Sequence, residues 1–423
     1  MEAELKFEQL NAKQQAGVTE IRAGRNVMFT GAAGTGKSTL LRYLRSQYSD
    51  LQVCASTGIA AIQIGGSTLH SWAGLGMGRD SAMEIAKKHL ERKNGVFYEI
   101  CKAKMLAIDE ISMIEADLLD KLDLMLQLVR KKSAPFGGIQ MIFIGDFCQL
   151  PPIGEQGQPV RFAFEARCWP AAEVKVFVLT EVMRQKERAF SDILSRVRVG
   201  DTSEDVRAVL RPRINAVDSD PRIKPVEIVT HNEHADRINA ESLAALKTDL
   251  HIWDASDWAD GDHNRKKLEK DCLAPKTLQL KIGAQVMLLK NLDTEAGLVN
   301  GSLGEVVAIK ERPGCKYPVV EFTNGAKLEI DQAEWQIVRS KHDVLASRRQ
   351  IPLRLAYAIT AHKAQGATLD KVRVHLKRCF APGQAYVALS RCKTLEGLFI
   401  ADISGNSIHA HPAALEFYKL NAA

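Results

Sequence analysis

The apolar positions of the first 180 residues gather into short runs separated by helical stretches. NVMFT (26–30), QVCAST (52–57), KMLAID (104–109), IQMIFIGD (139–146) and VKVFVLT (174–180) are nearly unbroken apolar segments of strand length. Strands covered on both faces carry that pattern, whereas one-sided strands alternate. This half therefore reads as α/β with a mainly parallel sheet. One interval departs from the rhythm. Residues 73–103 open Gly-rich with AGLGMGRD and then turn polar and helical, which predicts a small subdomain inserted in the sheet.

A second α/β unit is written more faintly. EIVTHN (227–232), VRVHL (372–376) and LFIADI (398–403) predict strands, with helices over HADRINAESLAAL and around Gln384–Cys392. Between these pieces, KTLQLKIGAQVMLLKN, GEVVAIKE, YPVVEFTNG and AKLEI alternate with period two and turn on Gly and Asn-Gly. That predicts an all-β insertion closing into a small barrel. The expected organisation is a first domain at 1–178, a second at 179–275 and 346–423, and the barrel at 276–345.

Composition narrows the class. A chain of 423 residues exceeds one ordinary core, and 46% hydrophobic with 26% charged residues is a globular balance. No apolar run reaches the roughly 18–20 residues of a membrane span. The N-terminal MEAELKFEQL is acidic, unlike a secretory signal or an Arg-rich transit peptide. The expectations are no membrane association and a cytoplasmic location, nucleoid-associated in a bacterium. Eight scattered cysteines without a C-x-x-C pair or Cys/His spacing argue against a disulfide framework and a structural zinc. A net charge of +6 admits an anionic partner without demonstrating one.

Candidate chemistry begins at GAAGTGKS (31–38), a full match to G-x-x-x-x-G-K-[ST] between a predicted strand and a predicted helix. Glycines let backbone N–H groups close on phosphate oxygens, and the helix adds its positive end. Gly31, Ala32, Ala33, Gly34, Thr35 and Gly36 form the cradle, with Thr39 on the following helix. Lys37 is placed for the β- and γ-phosphates, and Ser38 for Mg²⁺. A bare Gly-rich turn would not need Lys-Ser in register. KMLAIDEISM ends its strand in Asp109, suited to the Mg²⁺ shell, and Glu110, suited to deprotonating water. In FIGDFCQLPP (143–152), Gln149 stands at the exit of the next strand, stiffened by Pro151 and Pro152. A Gln held there can bond the γ-phosphate or the attacking water, while Pro152 touches a polymer track. Arg184 in LTEVMRQKE and Arg391 in AYVALSRCKTLEGL have the makings of arginine fingers, although each taken alone reads as a surface arginine.

The ordered blocks QLNAKQQAGV, GAAGTGKST, ASTGIAA, GSTLHSW, IDEISM, FGGIQMIFIGDFCQLPP, LTEVMRQ, LKIGAQVMLLKN, LVNGSLG, AYAITAHKAQGATLD and AYVALSRCKTLEGL carry a resemblance. The chain resembles the petite-integration-frequency (Pif-type) family of superfamily-1 DNA helicases, from about residue 7 to residue 400. The resemblance implies two RecA-like P-loop domains, with a small wedge insertion in the first and a Src-homology-like β-barrel in the second. It implies ATP and Mg²⁺, 5′-to-3′ movement on single-stranded DNA, and work in replication, repair or recombination. Single-stranded DNA and single-strand/duplex junctions are the implied partners, with G-quadruplex and RNA–DNA hybrid as candidate structures and a monomer as the working unit.

By the same resemblance, Gln14 reads adenine and Gly366 lines the nucleotide cleft. Thr57, Gly58, His70, Ser71, His231, Asn232, Thr360, His362 and Lys363 follow the strand. Small polar and imidazole groups suit phosphates and sugars followed without sequence readout. Singly, His70 or His362 also reads as a core histidine, and Trp72 as either a base-stacking or a core residue. Two other readings stay open: an ATP-gated clamp or remodeller that does not unwind processively, and a RecD-like subunit of a nuclease complex.

Overall fold

Alternation along the apolar strands divides their side chains between two faces of one sheet. Val27, Phe29, Ile142 and Ile144 enter one core; Met28, Leu106, Ile108, Met141 and Phe143 enter the other. In this computed structural model the sheet has six strands: β1 (Val27–Gly31), β2 (Leu51–Ala55), β3 (Ser67–Thr68), β4 (Met105–Asp109), β5 (Gln140–Gly145) and β6 (Lys175–Leu179). All pairings are parallel, in the order β3-β2-β4-β5-β1-β6. The structure describes the chain except residues 1–4, 76–79, 153–158, 182–186, 219–221, 230, 294–295, 313–314, 341–342, 362, 365–366, 380 and 422–423.

Helices Ala12–Arg22 and Lys37–Gln47 cover the first face through Val18, Ile21, Leu40, Leu41 and Leu44. Helix Ala116–Arg130 covers the second through Leu119, Leu122 and Leu126. The stretch predicted as an inserted subdomain forms helices Ala82–Arg92 and Gly95–Lys102. Their Ile85, Ala86 and Ile100 join that same second core, so the described residues of the segment share the core of the sheet. Trp72 belongs to it as well, at 1% exposure, so core packing is its role. The FGG turn ahead of β5 has left-handed backbone at Phe136, Gly137 and Gly138. Arg130 holds it by donating from Nε to Gly137 O at 2.7 Å.

The chain divides into two compact units: residues 1–184, 336–345 and 410–423 form the first, and residues 185–335 and 346–409 the second. The C-terminal stretch thus corrects the expectation that 346–423 lies wholly in the second domain. Helix Pro412–Leu420 buries Ala414 and Phe417 in the first unit's second core, because PAALEFYKL presents an apolar stripe that fits that sheet face.

In the second unit, Ala358–Thr360, Val226–Val229, Val372–His375 and Leu398–Asp402 form a parallel sheet in that order. A five-stranded sheet follows the order Lys327–Glu329, Cys315–Phe322, Leu303–Arg312, Gln285–Leu288, Leu353–Leu355, its pairs antiparallel. Here too the boundaries move outward from 276–345. Thr277–Leu280 pairs with His251–Asp254, and Asp343–Gln350 with Ser256–Ala259. The polar residues of 251–259 conceal strand partners that local pattern does not reveal.

Candidate active site

Parallel strands bring all their carboxyl ends to one edge of the sheet, which is where open α/β sheets bind ligands. At that edge β1 runs into the phosphate loop. Gly34 and Gly36 are left-handed, with φ of 83° and 84°, and Gly36 is the N-cap of helix Lys37–Gln47. A Cβ on Gly36 would stand 2.9 Å from Gln14 Nε2, and the left-handed backbone there favours glycine in any case. Gln14 is itself fixed: its Oε1 accepts from Asn11 N at 3.0 Å, and Asn11 Oδ1 accepts from Gln14 N at 2.9 Å. This capping box opens helix Ala12–Arg22 and aims a buried amide at the loop.

Lys37 folds its ammonium back over the loop, donating to Gly31 O at 2.7 Å and Ala32 O at 2.9 Å. Thr35 Oγ1 donates to Ala32 O at 2.9 Å. Ala33 is buried, Ser38 is exposed and Thr39 is half-buried.

β4 ends at Asp109, whose Oδ1 accepts from Glu110 N at 2.9 Å. Burial and then the Glu110 carboxylate push the Asp109 carboxyl well above the usual range; the Glu110 N–H and Lys37 oppose the shift. Glu110 has φ 54° and ψ 45°, a left-handed conformation that costs a side-chain-bearing residue about 1–3 kcal/mol. β5 passes closely beneath: a Cβ on Gly145 would lie 2.9 Å from Ile111 N.

The β5 exit is a tight turn. Gln149 N donates to Asp146 O at 2.9 Å and Cys148 N to Asp146 Oδ1 at 3.1 Å. Asp146 is fully buried and Gln149 is 6% exposed. Pro152 is also buried, so the expected polymer contact there is corrected: Pro151, half-buried, is the proline with surface to offer.

Comparison with known proteins gives this edge a context. The family model for PIF1-like helicase matches residues 5–208, and that for the DNA helicase Pif1 2B domain matches residues 265–309. The chain is 40% identical to the human ATP-dependent DNA helicase PIF1 over 412 residues, covering 97% of this chain and 63% of that protein. Pif1 from a Bacteroides species, solved unliganded, superimposes with a TM-score of 0.84 at 32% identity, covering 98% of this chain and 97% of that one. Pif1 helicase from Candida albicans gives 0.75 at 35% identity, with 97% and 99% covered. The chain belongs to the PIF1-like helicase family. Its two α/β units are the two RecA-like domains of that family. The chain spans about 63% of the length of the human relative.

The remaining PIF1-like positions divide between the units. In the first, Thr57 caps helix Gly58–Gln63, its Oγ1 accepting from Ala60 N at 3.2 Å. His70 and Ser71 lie in helix Leu69–Trp72 just after β3, and all four predicted contacts there are half-buried. In the second, His231 and Asn232 are exposed at the start of helix Asn232–Ala244. Thr360 is buried at the end of its strand, its Oγ1 accepting from Lys363 N at 3.4 Å, so it caps a turn and offers no open contact. Desolvation, then Arg354, lower the Lys363 ammonium's pKa, with Asp236 opposing. Arg391 follows helix Gln384–Leu389 and is 3% exposed, donating from Nε to Val387 O at 2.9 Å and from Nη2 to Ser390 Oγ at 3.0 Å. Arg184, His362 and Gly366 lie outside the described residues.

Sequence reasoning missed Tyr418. Its hydroxyl meets both β1 and the β5 turn, yet LEFYKL matches no motif. The available signal was only an aromatic pair on an amphipathic helix.

Proposed function

We propose that this chain is the motor of an ATP-dependent DNA helicase that moves 5′ to 3′ along single-stranded DNA and unwinds duplexes. One observation carries the reading: the phosphate loop, the Asp109–Glu110 pair and the Gln149 turn all leave the same edge of one parallel sheet. Family membership supports it, and so do structures of the Bacteroides Pif1 with ADP-AlF4 and with single-stranded DNA.

In this reading Gln14 holds the base, and the loop N–H groups and Lys37 hold the phosphates, Lys37 exchanging its two carbonyl partners for phosphate oxygens. Ser38 and Asp109 suit Mg²⁺, since a buried carboxylate with a raised pKa gains most from a neighbouring cation. When bound, Mg²⁺ neutralises charge on the β- and γ-oxygens. Glu110 takes the proton of the attacking water, and Gln149 couples the phosphate to the strand. The DNA track is Thr57, Gly58, His70 and Ser71 in the first unit, with His231, Asn232, His362 and Lys363 in the second. Arg184 and Arg391 supply transition-state charge.

Strand displacement on matched 5′- and 3′-tailed duplexes tests the reading. Unwinding of the 5′-tailed substrate alone, with hydrolysis stimulated by single-stranded DNA, is expected. Stimulated hydrolysis without displacement on either substrate would make the chain a clamp or remodeller.

A further inference from the structure

We propose that Tyr418, on the C-terminal helix, is a positioning residue of the ATPase that ties the Gln149 turn to the root of the phosphate loop. The inference rests on the coupling role given above to Gln149.

Strand alternation sets the arrangement. Thr30 shares the face of β1 with Met28, the face that helix Pro412–Leu420 covers, and it is fully buried one residue before the loop begins at Gly31. The Tyr418 hydroxyl lies 2.5 Å from Thr30 Oγ1, donates to Asp146 Oδ1 at 2.9 Å and accepts from Phe147 N at 3.0 Å. Because its single proton goes to the carboxylate, Thr30 is the donor in the first contact. One donor and two acceptor positions are thus all used. Asp146 in turn receives Cys148 N on Oδ1 and Gln149 N on its carbonyl. Lys37 bonds the carbonyl of Gly31. Hydrogen bonds from Thr30 through Tyr418 and Asp146 to Gln149, with the peptide link from Thr30 to Gly31, therefore join the β5 turn to the root of the phosphate loop.

The hydroxyl is not what docks the helix. Phe417 stacks on Phe164 at 4.6 Å and meets Phe147 edge-on at 5.1 Å, while His411 lies 5.0 Å from Phe162. Apolar burial holds the helix in place, and the hydroxyl sets the register of two strand ends. A displacement of about 1 Å at a reacting group can cost up to 10²-fold in rate, so loss of register has a kinetic reading of its own.

Tyr418→Phe keeps the ring and deletes the three-way contact. Its DNA-stimulated kcat should fall about tenfold, with KM for ATP and affinity for single-stranded DNA each within about twofold of native. Phe164→Leu is the control: it weakens the same helix interface but spares the hydroxyl, so it should lower the melting temperature and leave stimulation intact. Thr30→Val removes one arm only and should move stimulation in the same direction as Tyr418→Phe, by less. It carries the test if Tyr418→Phe does not fold. A second readout needs no DNA. Amide exchange at 146–150 should slow on adding ADP–aluminium fluoride to the native protein and fail to respond in Tyr418→Phe. A folded Tyr418→Phe protein with native stimulation and a native exchange response overturns the proposal, and so does Phe164→Leu reproducing the kinetic loss. A native protein that DNA does not stimulate would overturn the helicase reading instead, leaving the exchange response to decide on Tyr418.

Discussion

Glu110 is the residue where geometry and chemistry pull apart most clearly. Its left-handed backbone would suit glycine, yet a carboxylate stands there beside Asp109. Glu110→Gln should retain ATP and DNA binding while losing most turnover, because the water lacks its base. Glu110→Gly should be equally inactive but should melt no lower than the native protein, since it relieves the strained φ. Steady-state hydrolysis beside a thermal melt reads both, and near-normal stimulated hydrolysis in either variant would remove Glu110 from the mechanism. Gln149 makes a different prediction. Gln149→Ala should bind ATP and single-stranded DNA, lose DNA stimulation, and lose unwinding further than hydrolysis. If the segment were merely a turn, only stability would change.

At the scale of elements, the second unit's sheet carries a charge cluster that couples its stability to pH. His375, on strand Val372–His375, places Nε2 3.4 Å from Glu227 Oε2 and Nδ1 3.3 Å from Asp402 Oδ2. Hydrogen bonding to Glu227 raises the pKa of His375, against desolvation, with Asp402 adding to the rise. The same bond lowers the Glu227 carboxyl, assisted by Arg373 and His234. A raised histidine contributes stability that is fully present below its unfolded pKa of about 6.5 and is lost as pH rises through the folded value. The melting-temperature gap between native protein and His375→Gln should therefore be widest near pH 6 and narrow towards pH 8. A gap that widened with pH would show the pair to be uncharged.

At the scale of the molecule, Arg391, the candidate arginine finger among the described residues, lies in the second unit. Arg391→Ala should lower kcat by about 10³-fold while leaving nucleotide affinity near native. Arg391→Lys should not restore it, because the planar fork is lost. The alternative is visible in the structure: the Arg391 guanidinium bonds its own helix end at Val387 O and Ser390 Oγ. If those bonds are its whole role, the variant melts earlier with kcat per folded molecule unchanged. The whole chain also sets the limit of sequence-order thinking, since residues 410–423 return to the unit where the chain began.

What the sequence determined by itself is what local physics encodes. Apolar runs located the parallel strands at 27–31, 51–55, 105–109, 140–145 and 175–179 to within a residue or two, because strands covered on both faces have few alternatives. GAAGTGKS specified its own left-handed turn, since glycine adopts that backbone at Gly34 and Gly36 without the steric cost a side chain adds. Tertiary structure decided what those signals leave open, which is the choice of partner. PAALEFYKL states that a helix has an apolar face and not which sheet it covers, and 251–259 states no partner strand at all. Trp72 is in the core and Thr360 is buried because of neighbours far along the chain. The contact of Tyr418 with Thr30 and Asp146 spans more than 270 residues, and no periodicity of a nine-residue helix could contain it.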